Sequence, residues 1–159
     1  MKRYGWIAPA VFLADRGTKI LWKRIPPEGK TLIPGVLGLR PVRNTGMAFS
    51  LFSGKPWLLG ILSLCIIAGA FFFLRGRELN GMTRTGLMMM LGGAVGNLVD
   101  RLFLGYVPDM IELLFVRFAV FNLADVCLVA GCALVIIDLL REERKKPGGK
   151  KDGAEEASV

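Results

Sequence analysis

The fold class predicted by this sequence is an all-α polytopic membrane protein: four transmembrane helices with a small β-structure on the outer face. Three observations predict it. Of 159 residues, 53% are hydrophobic and the mean hydropathy is +0.49, above the roughly 45–50% apolar usage of globular chains. Those apolar residues are bunched into four long runs. Lys and Arg flank the runs, as they do in membrane proteins. The length fits a single domain.

The first run extends from about Tyr4 to Trp22. Lys2 and Arg3 followed by Tyr4 to Ala14 have the look of a secretory leader, but a cut after Ala14 would put bulky Phe12 at the −3 position. The segment is therefore expected to stay as an uncleaved first helix. The second run, from about Pro56 to Leu74, carries no charge and spans about 28 Å as a helix. The third covers roughly Thr85 to Leu104 and the fourth roughly Phe118 to Leu140. Residues 1–140 form the predicted membrane domain, and 141–159 a disordered polar cytoplasmic tail.

Between the first two runs, residues 23–55 contain TLIPGVLGLRPVRNTGMAFSLF, with Gly and Pro punctuation and short alternating stretches, which predicts a small β-structure on the membrane surface. The second outer connection, Gly105 to Arg117, reads as short. Four crossings put eleven Lys and Arg on the side of the termini and seven on the other, which favours both termini in the cytoplasm.

Composition removes several function classes. The net charge is +8, yet the basic residues flank apolar runs instead of interleaving with exposed aromatics, so nucleic acid is not an expected partner. Histidine is absent, which excludes Ser–His and Cys–His catalysis and His-ligated zinc. No metal and no cofactor are expected. Cys65, Cys127 and Cys132 lie inside apolar runs without a CxxC, and read as small buried apolar residues.

Ionisable residues inside the first, third and fourth runs are the suspects, because an Asp at a helix centre costs about 2.5–3.5 kcal/mol on insertion scales. In the fourth, Asn122 and Asp125 are three apart and share a helical face, with Asp125 expected about two turns inside the segment. Such a pair fits helix gluing as well as chemistry. In the third, Gly92 and Gly96 form a small-xxx-small pattern for close packing, and Asn97, Asp100 and Arg101 follow on adjacent turns. Asp100 and Arg101 fit an ion network with other helices. Asp109 follows Pro108, just past that helix on the outer side, among Val107, Met110 and Ile111. Asp109 and Asp125 thus fall on the same side. Two carboxylates sharing a site cannot both ionise easily, so one can act as base while the other acts as acid. Glu112 reads as an interfacial charge and Asp138 as an inner-end charge, both outside the site.

At FNLAD, GGAVGNLVDR, VPDMI and VRNTGMAF, the sequence resembles the bacterial lipoprotein signal peptidases, or signal peptidase II. The family pattern is matched in order by Asp15 and Lys19; by Asn44, Gly46, Ala48 and Phe49; by Gly92, Gly93, Ala94, Gly96, Asn97, Asp100 and Arg101; by Val107 and Asp109; and by Phe121, Asn122, Ala124 and Asp125. The resemblance implies four transmembrane helices with an outer β-cradle and a surface helix. It implies an aspartic endopeptidase that cuts diacylglyceryl-modified prolipoproteins just before the lipidated cysteine. Asp109 and Asp125 would be the catalytic dyad. Asn44, Gly46, Asn97, Arg101, Asn122 and Ala124 would line or shape the site, supported by Asp15, Lys19 and Asp100. Partners would be the prolipoprotein, membrane lipid and a globomycin-type cyclic peptide inhibitor, in the bacterial cytoplasmic (inner) membrane with the site near the outer face. Pro108 departs from the family, which more often has a branched apolar residue there.

For the substrate that the resemblance implies, Phe49 beside Asn44–Ala48 is expected to close over the bound chain, with Arg101 and Asn44 making polar contacts near the glyceryl ester. A transporter would carry polar residues through the full bilayer depth, whereas the second run is charge-free. A scaffold would give no reason for the NTGMAF loop.

Overall fold

The computed structural model describes residues 3–46 and 78–145, together with 58, 61, 63, 65–69, 72, 75 and 76. Three helices and three strands have defined bounds: α1 (Ile7–Trp22), β1 (Lys30–Ile33), β2 (Leu37–Asn44), α2 (Gly81–Phe103), β3 (Val107–Leu113) and α3 (Leu123–Lys145). The described residues from 58 to 72 are also helical. Most of the second run, and Ala48 and Phe49 of the expected closing loop, lie outside the described residues. Among these, one helix, Leu123–Arg144, is long and apolar enough by itself to cross a membrane.

The helices begin and end for local reasons. Asn80 caps α2, its side-chain oxygen accepting from the backbone N–H of Met82 and Thr83. Gly105, at φ +73°, turns the chain from α2 into β3. Asn122 and Asp125 open α3 with a reciprocal box. The Asp125 N–H donates to the Asn122 side chain, and the Asn122 N–H to the Asp125 carboxylate, each at 3.1 Å. This corrects the expected depth: Asp125 sits in the first turn of its helix, not two turns inside it. At the other end α3 runs to Lys145, so residues 141–145 continue the helix instead of starting a disordered tail.

Small residues bring the helices together. A Cβ on Gly92 would fall 2.6 Å from the Ala8 carbonyl of α1, and one on Gly93 2.6 Å from the Ala124 carbonyl of α3. Gly86 and Gly131 face each other just as closely. The Gly92 and Gly96 pattern read as small-xxx-small is thus the seam with α1, while Gly86 and Gly93 form the seam with α3.

The sheet is antiparallel in the order β1-β2-β3. Its third strand was not expected, because Val107–Leu113 read as a plain connection. Val42 pairs with Asp109 and Arg43 with Pro108, after a bulge between Leu39 and Val42. Pro108 is tolerated here because β3 ends the three-stranded order, where a missing N–H is least costly.

Burial is inverted relative to a water-soluble domain. Asp15, Lys19, Asn97, Asp100, Asp109 and Asn122 are all at most 7% exposed, whereas Phe103 is 81% and Val129 71% exposed. Apolar side chains face outward and charged groups inward, as a protein dissolved in lipid requires. Cys127 is buried, but Cys65 and Cys132 are exposed, contrary to the reading of all three as buried. Both fall among the outward apolar residues.

Candidate active site

The site lies where the N-terminus of α3, the edge of the sheet and the C-terminal half of α2 converge. Asp109 comes from β3, and both its oxygens are engaged. Oδ1 accepts from Asn122 Nδ2 at 2.6 Å and Oδ2 from Asn44 Nδ2 at 2.8 Å. Asp125 is equally held, its Oδ1 accepting from Asn97 Nδ2 at 2.8 Å and its Oδ2 from the Asn122 backbone. Asn122 therefore touches both carboxylates, one through its side chain and the other through its backbone. The strand register explains Asn44: Val42 lies opposite Asp109, so Asn44, two residues on, shares that face. Asn44 Oδ1 is in turn occupied by the Gly46 N–H at 2.9 Å.

Electrostatics separate Asp109 from an ordinary carboxylate. Burial raises its pKa to about 6, and the negative charge of Asp125 adds to the rise. Donation from Asn44 and Asn122, and the charge of Lys19, work against it.

Beneath the pair lies an ion network. Lys19 Nζ contacts Asp15 Oδ2 at 2.9 Å, Asp100 Oδ2 at 2.7 Å and Asn97 Oδ1 at 2.8 Å. Asn97 passes that anchoring on, since its amide nitrogen is the donor to Asp125. Asp15 Oδ1 accepts from the Ala124 N–H at 3.2 Å, the N–H one residue before Asp125. A Cβ on Gly96 would meet Asp15 Oδ2 at 2.6 Å, so only glycine leaves room for this carboxylate. Arg101 points the other way, its guanidinium lying 3.5 Å from the Gly46 carbonyl and 3.3 Å from that of Asn97.

All eleven residues singled out from the sequence are thus brought into one connected cluster. Two further members were missed. Arg16 donates to both oxygens of Asp100 at 2.6 and 2.8 Å and to Asp15 at 2.9 Å. Trp22 Nε1 donates to the Asp109 carbonyl at 2.9 Å. A second cation beside Asp15 in an apolar run was the available signal for Arg16; nothing in the sequence marked Trp22. Glu112 lies apart, paired with Arg40 at 3.0 Å. Asp138 is also apart, but it is buried and accepts from the Thr83 hydroxyl, so it is more than an end charge.

The model of the family described as signal peptidase (SPase) II matches residues 7–141. The chain belongs to the signal peptidase II family. Among its relatives, the lipoprotein signal peptidase of Lactobacillus johnsonii is 43% identical over 114 residues, 71% of this chain and 74% of that one. That of Lactobacillus gasseri is 39% identical over 137 residues, 84% and 89% of the two chains. A solved structure titled as a bacterial membrane enzyme superposes with a TM-score of 0.84 at 28% identity, covering 94% of each chain. Membership in the signal peptidase II family makes the chain a protease of lipoprotein processing and a bacterial membrane protein.

Proposed function

We propose that the chain is an aspartic endopeptidase that removes the signal peptide from diacylglyceryl-modified prolipoproteins, cutting just before the lipidated cysteine. The observation that carries this reading is Asn122, which touches both Asp109 and Asp125 while capping α3. In our reading Asp109 is the protonated member. Its pKa near 6 suits a group that donates to the scissile carbonyl oxygen. Asp125 is the ionised member, since a backbone N–H and the first turn of a helix stabilise negative charge there, which Asp109 on its strand lacks.

Asp125 takes a proton from water as the water oxygen adds to the carbonyl carbon, and Asp109 protonates the carbonyl oxygen. Asp125 then returns its proton to the departing amine, the C–N bond breaks, and Asp109 recovers its proton from the collapsing diol. The products are the signal peptide carboxylate and the free amine of the lipidated cysteine.

Four crossings, both termini in the cytoplasm and a site near the outer face complete the proposal, because a diacylglyceryl cysteine holds its scissile bond at that depth. The 1–140 unit, extended by the last turn of α3 to Lys145, is the peptidase domain. Two acyl chains already in the bilayer supply localisation, each methylene contributing about 0.8 kcal/mol. A globomycin-type cyclic peptide is the expected inhibitor.

The test is cleavage in detergent of a precursor with and without its diacylglyceryl group, with the product mass read out. The lipidated form should be cut before its cysteine and the unlipidated form poorly. Extensive EDTA treatment should leave the rate unchanged, since the chain has no histidine and a carboxylate pair can activate water by itself. Equal rates on the two precursors would make the protein a general intramembrane peptidase instead.

A further inference from the structure

A cavity of about 730 Å³ opens beside Asp109, between β2 and the segment 113–120. Asp109 and Asn44 are part of its wall, which joins it to the site. The rest of the wall is cationic in a way the acid–base chemistry does not use. Arg40, Arg43 and Arg117 line it against Glu112 and, at the end that meets the site, Asp109. Glu112 is taken by Arg40 at 3.0 Å, and the Arg43 guanidinium lies 5.1 Å from the Tyr106 ring centroid. Among the described residues, neither Arg43 nor Arg117 has a carboxylate within ion-pair distance, and both side chains are exposed.

The direction of the substrate chain decides what such a wall can meet. Ahead of the scissile bond the chain is an apolar signal segment that remains in the bilayer. Behind it the chain must leave for water, and the cavity leads from Asp109 to exposed charged residues. We infer that this cavity receives the first few residues after the lipidated cysteine and favours acidic side chains among them. The inference rests on the peptidase reading above and adds a specificity that reading does not contain. Exposed ion pairs are individually weak, so two acidic residues in place of two basic ones should produce a preference of about threefold or more, weakened by salt.

The experiment compares three lipidated precursors that differ at the second and third residues after the cut: Glu-Glu, Gln-Gln and Lys-Lys. The full-length enzyme is assayed in neutral phosphatidylcholine vesicles at low salt. We expect kcat/KM to fall in that order, with Glu-Glu about threefold or more above Lys-Lys, and the gap to close as salt is raised. Arg117→Glu should shrink or reverse the ratio, and the gentler Arg117→Gln and Arg43→Gln should shrink it. A ratio measured within one variant is unaffected by loss of folded enzyme. Equal rates for the three precursors, or a ratio untouched by every variant, would overturn the inference while leaving the peptidase reading intact. So would a rate that rises with phosphatidylglycerol equally for all three, which would make the cavity an anionic headgroup site. Failure to cut any precursor would contradict the peptidase reading itself and this inference with it.

Discussion

Asp109 and Asp125 are the same residue type in different surroundings, and the roles proposed for them rest on that difference. Asp109 sits on a strand, buried, with the Asp125 charge nearby, and so holds its proton up to about pH 6. Below that pH it can donate; above it the acid is lost. The kcat/KM profile should therefore fall as pH rises through about 6, the raised pKa marking the alkaline limb of the free enzyme. A rate that rose through the same pH would make Asp109 the base. In the proposed reading Asn44 positions the acid, since its amide is already committed to Asp109 and Gly46. Asn44→Ala leaves a buried oxygen of Asp109 without its donor, which costs about 1–3 kcal/mol, so turnover should drop about fivefold or more. Because Asn44 donation lowers the Asp109 pKa, the same variant should move the alkaline limb to higher pH. A merely structural role would lower the rate and leave the limb in place.

At the scale of elements, the legible features were those with a fixed spacing. Asp15 and Lys19, four apart on a helix, do form an ion pair, and the glycines of GGAVGN do let α2 close on α1 and α3. Arg16 was missed because adjacency to Asp15 implies different helix faces. Its long side chain instead reaches Asp100 from a partly exposed position. Asn122 and Asp125 were read as mid-helix neighbours, although Asn-x-x-Asp at the start of an apolar run is also a capping box, the arrangement that forms. Strand β3 was illegible since VPDMIEL carries a proline and no alternation, and its partner β2 lies more than sixty residues upstream. Asp138 belongs to the same lesson. It lies thirteen residues beyond Asp125, about 20 Å along α3, and anchors Thr83 of α2. Asp138→Asn weakens the acceptor for the Thr83 hydroxyl and should lower the unfolding temperature in detergent, with kcat changed less than about twofold. A large loss of kcat in folded enzyme would tie Asp138 to the chemistry.

For the whole molecule, polar groups inside and apolar groups outside form one design. The network of Asp15, Lys19, Asn97 and Asp100, closed by the partly exposed Arg16, is balanced in charge and bonded except at Arg16 Nε, so it can exist largely away from water; removing one partner of such a network costs about 3–5 kcal/mol. Through Asn97 and the Ala124 N–H it fixes the α3 end of the dyad, and through the sheet Asn44 fixes the other. Composition already pointed to the membrane, but it could not show that two surface connections build one sheet carrying the acid. The central claim is that these two carboxylates perform the cleavage, and it is tested most directly by turnover of a lipidated precursor by Asp109→Asn and Asp125→Asn. Asn keeps the size of each side chain but cannot cycle a proton. Both variants should accumulate in the membrane, unfold at temperatures close to the parent and show no detectable cleavage. Turnover above a few per cent of the parent in either folded variant would contradict the assignment of that residue, and in both would remove the dyad.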